Sequence, residues 1–297
     1  MSRYDEYGRT DLYVERQIEA GWALSNPRYV DCVHLYTTLD ECVRIDDSTD
    51  ARGVLAQLIE HGYDQVPVAN PNGSVGWRLL ATQELKLRNG IVDDQAEFLA
   101  GDLVVFESIF VEVNELLKCF IERTAFLGIT PAPDRPDLRG GIYGLLTIAD
   151  LNKPALRKTL FELLFDLETK LTRLIDQEFP IHEDWLRLLN EDARAQLYGQ
   201  WYVLKEAGMD VSPTVGMTLG QAFQIVERSP TLLRFLGYQS GNSFKDRNGG
   251  IVKLRHRVMH PVRPLVLSQG EVSKTARAVQ SASALLERFE RGEEQSA

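Results

Sequence analysis

Gly144-Leu145-Leu146-Thr147-Ile148-Ala149-Asp150-Leu151-Asn152-Lys153-Pro154 is the stretch at which the chain changes character. Its apolar opening, ending in a threonine, suits the close of a β-strand. Ala149-Asp150 reads as a turn. Asn152-Lys153-Pro154 reads as a helix start, with a cap residue and a proline tolerated in the first turn. Before this stretch the sequence mixes short strand-like runs with short amphipathic helices; after it the pattern is helical throughout.

Working back toward the N-terminus, a polar leader covers about residues 1–30. Val43-Arg44-Ile45 is a short strand candidate. Ala51, Val54, Leu55, Leu58 and Ile59 follow at helical spacing behind Asp50, a plausible N-cap. Gln65 to Ala69 and Val75 to Leu80 flank Asn70-Pro71-Asn72-Gly73, which predicts a hairpin, and Thr82-Gln83-Glu84-Leu85 opens a helix. The same order then returns. Val104-Val105-Phe106 is a strand candidate, Val113, Leu116, Leu117, Phe120 and Ile121 form a helical stripe, and strands around Phe126–Ile129 and Ile142–Thr147 flank a loop from Thr130 to Gly141. Two copies of strand–helix–strand–strand–helix imply an internal duplication.

Gly62-Tyr63-Asp64-Gln65-Val66-Pro67-Val68 with Gly73-Ser74-Val75-Gly76, and Gly144 to Leu151 as a closing motif, resemble the repeats of cystathionine-β-synthase (CBS) domains. The resemblance implies a tandem CBS pair over residues 31–155 that binds an adenine nucleotide, AMP or ATP, between its repeats. It implies nucleotide contacts from Gly144, Thr147 and Asp150, and from Asp64 and Val66 in the first repeat. The chemistry fits these types. Glycine admits a ligand close to the backbone, a threonine hydroxyl and helix-start N–H groups hold phosphate, and a carboxylate accepts ribose hydroxyls. A helix N-cap would use Thr147 and Asp150 equally well. In the first repeat Ala81 stands where the hydroxyl should be and Glu84 replaces the aspartate, so one nucleotide site is expected. Arg135 or Arg139 of the long second loop could reach phosphates or simply be solvated.

Toward the C-terminus, Leu156, Leu160, Leu163, Leu164, Leu167, Leu171, Leu174 and Ile175 repeat at spacings of three and four up to Phe179-Pro180, one long amphipathic helix. Trp185, Leu188 and Leu189, then Leu197, Trp201 and Leu204, continue the pattern. Further helices are expected at about 218–228, 230–238, 244–259 and 271–291. Gly249-Gly250 argues for a loop and a shorter helix from Ile251 within the third of these.

In that third region Leu254-Arg255-His256-Arg257-Val258-Met259-His260-Pro261 resembles the Arg-x4-His signature of HEPN domains, helical bundles found in many prokaryotic ribonucleases. The implied fold class is an α+β tandem CBS pair followed by an all-α, HEPN-like bundle over residues 156–297. The implied activity is metal-independent RNA cleavage at a site shared across a homodimer. His260 would transfer the proton, Arg255 would clamp the phosphate and His256 would assist. These types suit the reaction: histidine moves protons near neutral pH, and a guanidinium stabilises a developing phosphorane. Between Arg228 and Arg263 eight cations face one acid, Asp246, a local charge of +7. Arg257, Lys253 and Arg247 of that stripe are the expected RNA contacts. His256 and His260, at i and i+4, could alternatively share a metal, but Arg257 stands where a zinc-protease helix carries glutamate and no Cys/His set completes a tetrahedron, so no metal is expected.

The whole chain of 297 residues carries 33 Lys+Arg and 43 Asp+Glu, a formal charge of −10. That balance excludes a protein that coats nucleic acid by bulk charge, and places −17 outside the basic stripe. Three cysteines make no disulfide framework. The first residues lack an apolar signal and no run of about 18 apolar residues occurs, so a cytoplasmic protein without membrane spans is expected. Two functions follow: a nucleotide-regulated endoribonuclease in stress response or phage defence, or a non-catalytic module that binds adenine nucleotide and dimerises or docks through its helices.

Overall fold

The structure is a computed structural model and describes residues 28–31, 35, 37–38, 42–46, 49–69, 77–93, 95–99, 103–105, 110–121, 125–129, 142–209 and 211–296. The leader up to residue 27, Cys32, His34, the Asn70–Gly73 turn, Phe106 and the 130–141 loop with Arg135 and Arg139 lie outside those residues. By contacts the chain divides into two units, Met1–Arg157 with Val266–Ser273, and Lys158–Leu265 with Lys274–Ala297.

The first unit is α+β. It contains β1 (Tyr29–Asp31), β2 (Thr37–Thr38), α1 (Ala51–His61), β3 (Gln65–Ala69), β4 (Trp77–Ala81), α2 (Thr82–Leu87), β5 (Leu103–Val105), β6 (Phe110–Glu112), α3 (Val113–Cys119), β7 (Ala125–Ile129) and β8 (Ile142–Thr147). Asp50 caps α1 by accepting from Arg52 N at 3.1 Å, and Gly62 ends it at φ 70°, a left-handed position that favours glycine.

The two copies share one topology. In the first, Ile45 pairs in parallel with Val68 and β3 pairs antiparallel with β4, with α1 as the crossover. In the second, β5 runs parallel to β7, which pairs antiparallel with β8, and α3 lies between β5 and β7 in sequence. Parallel neighbours need such a crossover because a hairpin cannot join them. β2 adds to the far edge of β8, giving the order β2-β8-β7-β5. Ile45, Val54, Leu58, Val66, Val68, Leu80 and Leu85 form the first copy's core, and Val113, Leu116, Leu117, Phe120 and Leu146 are buried in the second. Each such side chain contributes about 1.5–3 kcal/mol of burial. Ile59 and Ile121, expected on the apolar stripes, are exposed.

The second unit is helical, and most of it lies in α4 (Pro154–Glu178, whose first turn belongs to the α+β unit), α5 (His182–Leu186), α6 (Glu191–Glu206), α7 (Leu219–Arg228), α8 (Pro230–Phe235), α9 (Gly241–Met259) and α10 (Gln269–Ser296). Every leucine of the α4 stripe is buried, and Trp185 is fully so. An α+β region followed by helices is therefore the architecture.

The helix α9 departs from its expectation. α9 is continuous through Gly249-Gly250 and begins earlier, at Gly241. Two interior glycines cost about 2 kcal/mol together. Phe244, Ile251, Leu254 and Val258 are buried along one face of the helix, which outweighs that at about 1.5–3 kcal/mol each. A capping box formed by Ser240 and Ser243 fixes the start. The segment Val266–Ser273, expected within the helical domain, belongs to the α+β unit: the Asn152 amide pairs with the Val266 peptide on both sides (2.9 and 3.1 Å), and Gln269 donates to Ile121 O at 2.6 Å.

The glycines of α9 give a direct check. A Cβ on Gly249 meets nothing within 4 Å, whereas one on Gly241 would lie 2.2 Å from the Glu227 carbonyl oxygen. Gly249→Ala should raise unfolding stability by about 1 kcal/mol, and Gly241→Ala should lower it by about 2 kcal/mol, both read from urea transitions.

Candidate functional site

Two polar clusters stand apart from the cores. The first closes the second copy of the duplicated unit. β8 ends at Thr147, and a 3-10 turn, Ile148–Asn152, carries the chain toward α4. The carboxylate of Asp150 is 6% exposed. Its Oδ2 accepts from Thr147 N (2.7 Å) and Thr147 Oγ1 (2.8 Å), a capping box. Its Oδ1 accepts from Thr37 Oγ1 (3.3 Å) and pairs with the Lys153 ammonium (2.8 Å). Lys153 also donates to Leu35 O at 2.7 Å and Thr37 Oγ1 at 3.4 Å. Burial of a charge is tolerable only with such partners.

The other expected nucleotide contacts sit differently. Gly144 is buried in β8, aligned with Thr38 on one side and Gly128 on the other. Val66 is a fully buried core residue of β3, so its side chain faces apolar neighbours. Asp64 is exposed, and its carbonyl accepts from Thr82 N at 2.8 Å. In the first copy, Ala81 occupies the N-cap of α2 without a side-chain bond. Glu84 instead receives Arg88 Nε at 2.5 Å, and that hydrogen bond foremost lowers its pKa. The difference between the copies is thus built in at the positions the sequence singled out. Thr37 and Lys153 escaped sequence reasoning. Lys153 was visible only as a cation three residues after Asp150, and Thr37 comes in from β2, more than a hundred residues away.

The second cluster lies at the end of α9. His256 and His260, one turn apart and both exposed, meet edge to face with ring centroids 4.3 Å apart. Arg255 pairs with Glu168 of α4 at 3.5 Å. Arg257 donates to Leu265 O at 3.0 Å and so holds the loop after the helix, in which Arg263 N bonds His260 O at 2.9 Å. Arg263 Nη1 lies 3.1 Å from His256 Nε2. A guanidinium has no acceptor, so that ring nitrogen accepts and carries no proton. Partial desolvation, then His260, Arg263 and Arg255, hold the His256 pKa below its ordinary 6.5. Lys253 and Arg247 are exposed on the same helix. Glu168 was not anticipated, because an acid on a distant helix leaves no local pattern; Arg263 stood out only as the last cation of the basic stripe.

Among the described residues no group of three His, Cys, Asp or Glu side chains is placed to hold a metal ion, and no helix is long and apolar enough to cross a membrane.

No family profile and no curated protein matches the chain. Among solved structures it is similar to CBS domains of a bacterial CNNM/CorC family Mg2+ transporter. One is in complex with ATP (covering 50% of this chain and 96% of that one), one carries no named ligand (52% and 88%), and one is in complex with the inhibitor IGN95a (52% and 89%), each at 18% identity and a TM-score of 0.29. At those values the likeness carries neither fold nor ligand to this chain.

Asp150→Ala leaves three donor groups of Thr147 and Thr37 and the Lys153 ammonium without their acceptor and should lower stability by about 3 kcal/mol, with Asp150→Asn intermediate, in urea unfolding. For His256 the folded chain disfavours the imidazolium, so the unfolded chain binds more protons as pH falls below 6.5. Stability held by the neutral ring is present above that value and is lost as pH drops through the lowered folded pKa. His256→Gln should remove this loss, so the parent should weaken relative to the variant when urea midpoints are compared from about pH 7.5 down to 5.

Proposed function

We propose that this protein is a nucleotide-responsive regulator in which the duplicated α+β unit binds one adenine nucleotide and the helical unit carries the response. The observation that supports this best is the Thr147–Asp150 turn closing β8, a hydroxyl and a carboxylate joined at 2.8 Å where the first copy has Ala81 and Glu84. The resemblance of Gly144 to Leu151 to a CBS closing motif supports the same reading. Ribose hydroxyls would take over the Oδ1 positions now used by Thr37 and Lys153. The released ammonium would then turn to a phosphate of AMP or ATP, with the Thr147 hydroxyl beside it. The helical unit would dimerise or dock on a partner; Phe161 and Phe165, stacked 6.1 Å apart and exposed on α4, support that role.

A second reading is favoured by the assembly of Arg255, His256 and His260 around one helix end. It is a metal-independent endoribonuclease under nucleotide control, acting in stress response or phage defence as a cytoplasmic homodimer. His260 would take the 2′-hydroxyl proton, Arg255 would stabilise the phosphorane, and the leaving 5′-oxygen would be protonated by a second imidazole. Lys253 and Arg247 would contact the RNA backbone, with Arg257 holding the loop.

Calorimetric titration with AMP and with ATP should show one site per chain, weakened about tenfold or more in Asp150→Asn; equal affinity in parent and variant removes Asp150 from the site. Incubation with total RNA in EDTA, with and without nucleotide, separates the two readings. Cleavage lost in His260→Ala supports the nuclease, and identical RNA profiles in every lane leave the non-catalytic regulator.

A further inference from the structure

The helix α6 turns one side to solvent. Ala193 and Leu197 are buried on its inner face. Glu191, Tyr198 (39% exposed), Tyr202 (63%) and Lys205 are exposed, and Arg194 is half-buried. With about 100° between successive residues, these five positions fall within about 80° of one another around the helix. They make one stripe, stepped by three, four, four and three residues. That spacing is the same in both directions. Turning the helix end for end about Tyr198 exchanges Glu191 with Lys205 and Arg194 with Tyr202. An acid then meets a cation at each end of the stripe, and an arginine meets an aromatic ring between them. The Lys205 ammonium lies 4.7 Å from the centroid of the Trp201 ring, which is itself fixed by its N–H donating to Val211 O at 2.9 Å. Beside the stripe the surface is recessed: an open groove of about 610 Å³ runs along Ala195, Gly199 and Val203, and a Cβ on Gly199 would meet nothing within 4 Å.

We propose that α6 is a homodimer interface, on which a second copy of this chain lays its own α6 antiparallel across a two-fold axis at Tyr198. A two-fold contact uses the same patch on both chains, so each pair forms twice. Glu191 pairs with the partner's Lys205, Arg194 lies against the ring of the partner's Tyr202, and the two Tyr198 rings meet at the axis. A parallel arrangement would set Glu191 against Glu191 and Lys205 against Lys205, so the charges select the antiparallel one. The groove beside the stripe gives the partner's helix room to approach. A second copy is the occupant because it supplies the mirrored order of acid, arginine, tyrosine and lysine by symmetry; an unrelated protein would have to reproduce it. The contact is confined to one helix of 16 residues, so the dimer exchanges with monomer as concentration falls. The proposal rests on the reading in which the helical unit dimerises, names the face that does so, and does not require nucleotide.

Analytical ultracentrifugation of the full chain tests it, with thermal unfolding of each variant as the check that it is folded. The parent should sediment as a two-chain species that dissociates more readily as salt is raised. Glu191→Lys and Lys205→Glu each place like charges at both ends of the interface and should weaken dimerisation about tenfold or more. Mixing the two variants in equal amounts should restore the dimer, because every end pair is again of opposite sign, and a folding defect could not be rescued in this way. Dimers of parent strength in both single variants, or no gain on mixing them, overturn this interface and leave dimerisation to another face. A parent that stays monomeric overturns the interface and the dimerising reading together, while nucleotide binding is decided separately by calorimetry.

Discussion

The carboxylate of Asp150 is the constraint on which the α+β unit turns. It is nearly inaccessible, and it gathers Thr147 from the end of β8, Thr37 from β2 and Lys153 from the residue before α4. A buried carboxylate with fewer partners would protonate or destabilise the fold. The same oxygens that satisfy it therefore dictate where β2 lies on the sheet edge and where the chain leaves β8 for its long helix. Lys153 strengthens the arrangement by also donating to Leu35 O, so a single ammonium joins the turn to the segment before β2.

At the end of α9 the opposite condition holds. There His256, His260 and Arg263 are exposed, and Arg255, Arg257 and Arg263 are all cationic. Water screens much of the repulsion, which is why such a cluster can persist without unfolding the helix end. What the cluster does settle is protonation: Arg263 can only donate, so His256 is neutral while that contact lasts. One polar centre is therefore buried, and the other lies at the surface.

How much of this was readable in advance follows the range of the interactions. The Asp50 cap, the α4 leucine stripe and its end at Phe179-Pro180 depend on neighbours three or four residues apart, and the sequence displays them. The contrast between Thr147–Asp150 and Ala81–Glu84 was also legible, because a cap is a local motif. The continuity of α9 was not. Propensity speaks against Gly249-Gly250, and the burial that overrides it comes from residues of other elements packing on Phe244, Ile251 and Leu254. Thr37, Glu168 and Val266 were invisible for the same reason: each meets its partner across about ninety residues or more of chain. Val66, named through the resemblance, has its side chain in the core of the first copy.

Charge ties the two centres to the composition. A chain of net −10 that concentrates +7 between Arg228 and Arg263 divides its charge unevenly along the sequence. Screening limits the reach of that stretch to about 10 Å at ordinary salt. Within that range a guanidinium fork distinguishes a phosphate from a lone carboxylate by the number of oxygens it can engage. An acidic background therefore disfavours diffuse association with polyanions, and the basic stretch can offset it only at short range.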